Sequence, residues 1–301
     1  MADDIDYLRG RELFDNFVRG DAMIGLIADV PAVEREMLTA LWAAAARGCA
    51  PAYRTLGECY LAALRGNGAF EGIDPADADA RTWSREASVL VDDEPSLQAA
   101  MRAFAAAAGL GDREALLQVA RLSRSSGEAS KRHALAMLQS RTDPSAAELY
   151  QCGLVQNWLG ELEASHATHV AAADAGSTDA MFELHILFAQ GLGVAPDADA
   201  SWRWLEHAAA ANHPRALYNV GAAHAAGTRG AVDLRKAAEY YERAAGQGNG
   251  RAACTLGVMM LQREIDGTAE QAARWLDTAD ELGYPSLDML DTVGLEDPRD
   301  T

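Results

Sequence analysis

Apolar positions in this chain recur at helical intervals, and three C-terminal segments superimpose. Ala180-Met-Phe-Glu-Leu184-His185-Ile-Leu-Phe188-Ala-Gln-Gly191 matches Ala216-Leu-Tyr-Asn-Val220-Gly221-Ala-Ala-His224-Ala-Ala-Gly227, and both match Ala252-Ala-Cys-Thr-Leu256-Gly257. The leading alanines stand 36 residues apart twice. A second pattern follows each: Trp204…Ala208-Ala209…Asn212, Tyr240…Ala244-Ala245…Gly248 and Trp275…Ala279…Gly283. A large residue followed four later by Ala puts both on one helical face, and Gly or Asn beyond suits a helix end with positive φ. Each unit therefore reads as helix, loop, helix. Asp197, Asp233 and Asp266 fall in the loops, where carboxylates cap exposed amides and oppose the helix dipole.

Towards the N-terminus the pattern weakens. Ala52-x-x-x-Leu56-Gly57-x-x-Tyr60 reads as a first helix, and Gly72-Ile73…Ala80-x-x-Trp83-x-x-x-Ala87 as its second. Residues 95–108 read as an extra, inserted helix of the second type, and Ala115…Val119-Ala120 restarts the pattern. Ser145-x-x-x-Leu149-Tyr150-x-x-Gly153 reads as a copy with Tyr and Gly exchanged. Residues 1–48 form an expected helical cap, 49–290 the repeat array and 291–301 a flexible acidic tail.

Asp233-x-x-Lys236-Ala237-x-x-Tyr240-x-x-x-Ala244-Ala245-x-x-Gly248 carries a resemblance to the Sel-one-like repeat, a helical hairpin related to the tetratricopeptide repeat. The resemblance covers about residues 40–290, most specifically after 176. It implies an all-α fold, a right-handed α-solenoid of stacked antiparallel helical hairpins, because one hairpin cannot enclose its own apolar face. Small residues at Gly57, Gly221 and Gly257 let helices approach, and Tyr60, Trp83, Phe188, Trp204, Tyr240 and Trp275 are expected to fill the space between hairpins. Members of the family commonly act as adaptors in signalling, assembly or quality control.

Composition narrows the partners. The 301 residues carry 26 Lys+Arg against 45 Asp+Glu, a formal charge of −19, and the only lysines are Lys131 and Lys236. No basic cluster is present to neutralise phosphates, so nucleic acid is not an expected partner. The N-terminus opens with acids and no stretch approaches 18 apolar residues, so neither a secretory signal nor a membrane span is expected and the cytoplasm is the expected location. Cys49, Cys59, Cys152 and Cys254 lack CxxC or zinc spacing and read as buried thiols.

Motifs for serine hydrolysis, phosphate loops, dinucleotide binding and zinc proteolysis are absent, and no cofactor is expected. The one metal-like grouping is Glu163, His166 and His169, three residues apart, with His185 expected at similar height on the next helix. A metal-dependent hydrolase built on it is the alternative to the favoured reading. That favoured reading is a non-catalytic scaffold binding a protein or peptide, a basic one, in a concave groove. By analogy with tetratricopeptide arrays the lining would be Arg54, Glu58, Gln118, Arg121, Glu148, Gln151, Phe182, Glu183, Tyr218 and Asn219. Arg215 and Arg251 stand at equivalent positions just before their helices, and the sequence leaves open whether they face the groove. A narrower version is an immunity-type neutraliser of a basic toxin or effector. Self-association through the C-terminal end, with Leu287 and Leu290, is a further expectation.

Overall fold

The computed structural model describes residues 4–18, 30–64 and 95–300, and these are helical, with no strand among them. Two compact units divide the chain, Met1–Glu161 and Leu162–Thr301. The first holds α1 (Ile5–Val18), α2 (Val30–Ala46), α3 (Ala50–Leu64), α4 (Pro95–Gly109), α5 (Arg113–Ser123), α6 (Glu128–Gln139) and α7 (Ala146–Trp158). The second holds α8 (Leu162–Asp174), α9 (Thr178–Gln190), α10 (Ala198–Ala210), α11 (Pro214–Ala226), α12 (Leu234–Gly246), α13 (Gly250–Leu261), α14 (Ala269–Glu281) and α15 (Ser286–Val293). Within each unit, helices adjacent in sequence pack on one another as stacked hairpins.

One seam recurs in these hairpins. A Cβ added to Gly57 of α3 would lie 2.7 Å from the Phe104 ring of α4; one on Gly221 would lie 2.9 Å from Tyr241, one on Gly257 3.0 Å from Leu276, and one on Gly10 2.7 Å from Leu41. A glycine on the first helix thus receives a large side chain from the second, and that side chain is buried in every case. The second helices share a large residue followed by paired small ones: Leu41-x-x-Ala44-Ala45, Phe104-x-x-Ala107-Ala108, Leu205-x-x-Ala208-Ala209, Tyr241-x-x-Ala244-Ala245. The seam residue is therefore the one after the aromatics named from sequence. Trp204, Tyr240 and Trp275 are only half-buried, while Leu205, Tyr241 and Leu276 are buried. The predicted helix around Trp83 lies outside the described residues. In its place α4 supplies the large side chain against Gly57, the role of a second helix for α3.

The helix ends follow local chemistry. Asp197 Oδ1 accepts from the amides of Asp199 and Ala200, both at 2.9 Å, and Asp233 Oδ1 from the amide of Lys236 at 2.9 Å. Before α14 the cap is Thr268 rather than Asp266, because Gln271 three residues on completes a capping box. Asn212 and Gly248, at φ 62° and 86°, make the expected left-handed exits.

Three sites depart from the small-residue seam. His185 replaces the glycine of its neighbours, and Ser201 replaces the alanine opposite, Ala237 in the next hairpin. His185 Nδ1 lies 2.8 Å from Ser201 Oγ and 3.2 Å from the Ser201 carbonyl, so a polar pair fills the gap and holds the hairpin together. In α7 the buried residues Glu148, Cys152 and Gly153 occupy the Ala, Leu and Gly places, which shifts the register expected from Ser145 and Leu149 by three residues. On α8, His169-x-x-Ala172-Ala173-x-x-Gly176 puts an imidazole at the large-residue place, fully buried.

The C-terminal segment is tethered. Arg299 bonds Asp297 at 2.6 Å and Asp280 at 2.7 Å, and Asp280 also accepts from the amide and hydroxyl of Ser286, both at 2.8 Å. The Ser286 amide, with the Arg299 guanidinium and the Ser286 hydroxyl, holds the Asp280 carboxyl below the usual carboxylate range. The tail expected to be loose is thus folded back on α14, and Leu290 is buried rather than available for association, although Leu287 is exposed. All four cysteines are free thiols and buried. No described helix is long and apolar enough to cross a membrane.

Leu276→Ala should lower stability by about 2–5 kcal/mol, the range for a buried leucine that leaves a cavity, and Trp275→Ala by clearly less. Urea unfolding of both variants checks the order, and an equal or larger loss for Trp275→Ala would contradict the seam. Burial, with the His166 charge adding to it, pushes the His169 imidazole down to about 4. The unfolded chain then binds the proton more tightly, so stability should fall as pH drops from about 6.5 towards 4, by roughly 2–4 kcal/mol in all. His169→Leu should flatten that part of the stability–pH curve measured by chemical unfolding.

Candidate binding face

In the second unit the first helices of adjacent hairpins, α9, α11 and α13, carry the sequence-predicted face. Phe182 is not an exposed anchor: it is 5% exposed, stacked on the His213 ring at 4.6 Å and 19°. His213 caps α11, accepting from the Ala216 amide at Nδ1 at 3.2 Å, while its Nε2 lies 3.4 Å from Asp179. The guanidinium of Arg215 covers Phe182, its Cζ 4.7 Å from the ring centroid. One repeat later Tyr218, half-buried, lies 5.3 Å from the Tyr241 ring and is covered by Arg251 at 5.0 Å. Arg215 and Arg251 are both exposed. Glu183 and Asn219, also half-buried, stand at equivalent places beside these rings. Burial raises the Glu183 carboxyl, partly offset by the charge of Arg215. The sequence left open where the two arginines point; each sits on the aromatic ring of the preceding first helix.

The first unit answers the expectation less well. Arg54 reaches Asp112 at 3.4 Å, so it ties α3 to the cap of α5, and Glu58 accepts from Arg11 at 2.8 Å. Gln118 and Arg121 remain accessible on α5, both directed to Glu114, at 3.5 Å and 3.8 Å. Glu148 and Gln151 are buried, 1% and 7% exposed, which removes them from any open lining. The reason is the register of α7: Glu148 closes a capping box with Ser145 and is flanked by Arg113 at 3.3 Å and Arg141 at 3.5 Å. An ionised carboxylate tolerates burial only with such partners.

The histidine group does not converge. His169 is buried in α8, His166 sets its ring edge-on to Phe188 at 5.3 Å, His185 is engaged by Ser201, and Glu163 is exposed. Among the described residues no three His, Cys, Asp or Glu side chains are arranged to hold a metal ion, so the convergence expected of Glu163, His166, His169 and His185 is corrected. An open cleft of about 480 Å³ lies beside this group, lined by His185, Phe188, Pro196, Ser201, Trp202 and Arg229. Its serine donates to the His185 carbonyl at 3.0 Å, and the rim carboxylate of Asp197 is spent on capping α10.

The Sel1 repeat family model matches residues 178–213 and 214–249, the α9–α10 and α11–α12 hairpins with their caps. No curated protein matches the chain. Among solved structures, a Sel1 repeat protein from Oxalobacter formigenes is 22% identical, with 65% of this chain and 84% of that one covered and a TM-score of 0.52. The protective antigen c5321 of uropathogenic Escherichia coli, which displays an SLR fold, is 19% identical over 90% of this chain and 61% of its own, with a TM-score of 0.43. The immunity protein Pa5087 from Pseudomonas aeruginosa is 21% identical over 70% and 83%, with a TM-score of 0.43. Residues 178–249 thus carry two Sel1 repeats, and the chain shares its stacked-hairpin fold with the Oxalobacter protein.

Proposed function

We propose that this protein is a non-catalytic scaffold that holds another polypeptide against the first-helix face of its Sel1 hairpins. The observation that carries the reading is the repetition of Glu183, Tyr218 and Asn219 on α9 and α11. These side chains are anchored by half-burial, and their polar groups form no hydrogen bond among the described residues. Rigid, partly apolar positions with unspent donors and acceptors favour recognition, since little side-chain entropy is lost when a partner arrives.

The partner's overall charge follows from the outer faces. Asp199 and Glu206 on α10, and Glu270, Asp277 and Glu281 on α14, are exposed, in a chain of formal charge −19. Such a field speeds encounter with a basic protein and repels acidic ones at long range. The four buried thiols suit a reducing compartment, and a cytoplasmic location is part of the proposal.

The test compares affinity capture from source lysate by the wild type and by a Glu183→Ala/Asn219→Trp variant that blocks the face with a neutral ring. Polypeptides retained by the wild type should be lost from the variant, and retention should weaken as salt rises from about 0.05 to 0.5 M. Circular dichroism and melting should match between the two proteins. Equal recovery would move binding away from this face.

A further inference from the structure

We propose that the C-terminal unit carries a carboxylate-reading site, in which Arg215 on α11 and Arg251 on α13 hold acidic side chains of the polypeptide segment lying across these helices. The inference rests on the scaffold reading and specifies the chemistry of the segment in contact, as distinct from the partner's net charge.

Charge distribution supplies the first argument. In a chain with 45 acidic residues, Pro214–Ala226 and Gly250–Leu261 contain none; apart from His224, their charge-bearing residues are Arg215 and Arg251. An anion approaching α11 and α13 meets two positive groups that are not neutralised on their own helices. The corresponding position in the first unit is Glu114 on α5, so the feature belongs to the C-terminal unit.

Geometry supplies the second. Each guanidinium lies over the ring of the preceding first helix, at 4.7 Å from Phe182 and 5.0 Å from Tyr218, and the rings are held by His213 and Tyr241 behind them. Stacking uses the flat face of the guanidinium and leaves its N–H edges pointing away from the ring. Those edges match a carboxylate in bidentate fashion. The other described arginines that lie over rings are already engaged: Arg11 with Glu58 at 2.8 Å, Arg229 with Asp199 at 2.9 Å and Arg243 with Asn212 at 3.0 Å. No described carboxylate lies within 4.0 Å of Arg215 or Arg251, although Glu183 is near enough to feel Arg215. Asp179, the other acid at this edge, is turned to His213. Two arginines braced by rings, exposed, and without a carboxylate of their own form a prepared receptor for an acidic peptide.

The test uses fluorescein-labelled hexaglutamate, with hexaserine and an oligonucleotide of matching charge as comparators, in anisotropy titrations at about 50 mM salt. Hexaglutamate should bind the wild type in spite of the protein's negative charge, and hexaserine should not. Arg215→Gln/Arg251→Gln should weaken binding by about tenfold or more, as expected for loss of two charge-assisted pairs. Arg215→Lys/Arg251→Lys, which keeps charge but not the fork, should lose several-fold, and circular dichroism should show all variants folded. No binding to the wild type, or equal binding by the Gln variant, would overturn the proposal, as would equal binding of the oligonucleotide. If hexaglutamate fails while lysate capture remains sensitive to Asn219→Trp, the carboxylate site falls and the scaffold reading stands. If hexaglutamate binds through the arginines while capture is insensitive, the scaffold reading falls and the arginines remain a peptide-carboxylate receptor.

Discussion

Two helices approach only as closely as the side chains between them allow, and in this protein that distance is set by a glycine facing a large residue. At Gly57, Gly221 and Gly257 the opposing Phe104, Tyr241 and Leu276 come so near that even one methyl group would collide. The paired alanines that follow Phe104 and Tyr241 keep the adjoining turn equally slim. Close approach maximises dispersion contacts and excludes water over the whole hairpin. It also leaves Glu183 and Asn219, one repeat apart on the first helices α9 and α11, half-exposed at a fixed interval.

The departures from this arrangement show what the seam tolerates. At His185 a bulky polar ring stands where glycine is the norm, and the hairpin survives because Ser201 presents a hydroxyl and a carbonyl to it. At Glu148 a carboxylate stands where alanine is the norm; Arg113 and the Ser145 amide bond its Oε2, and Arg141 brings a second positive charge to 3.5 Å of Oε1. His169 fills a place held elsewhere by leucine, phenylalanine or tyrosine, and burial keeps it uncharged near neutral pH. Polar residues inside this repeat array are thus accommodated by local contacts at His185 and Glu148 and by neutrality at His169, without a change of topology.

The architecture was legible from sequence where the period was intact. Ala180, Ala216 and Ala252, with the left-handed exits at Asn212 and Gly248, located six helices, and the loop acids located the caps Asp197 and Asp233. Register was harder. Trp204, Tyr240 and Trp275 attract attention by size, but Leu205, Tyr241 and Leu276 point inward, and only the helical offset from the alanine pair distinguishes the two sets. A register count from Gly153 would have put Glu148 in the interior. On the candidate face, the half-burial of Glu183, Tyr218 and Asn219 at equivalent places follows from the period. The bracing of Arg215 and Arg251 was not, since it joins residues 33 apart across separate hairpins, as Phe182 to Arg215 and Tyr218 to Arg251.

Asp280 takes the place that a second alanine holds in the earlier pairs, as Ala209 and Ala245 do. Its carboxylate is committed to Ser286 and Arg299. Another hairpin docking there in the same manner as its predecessors would have to strip a charge of its ligands. One substitution of methyl by carboxylate thus makes an ionic latch between α14 and the segment that follows it.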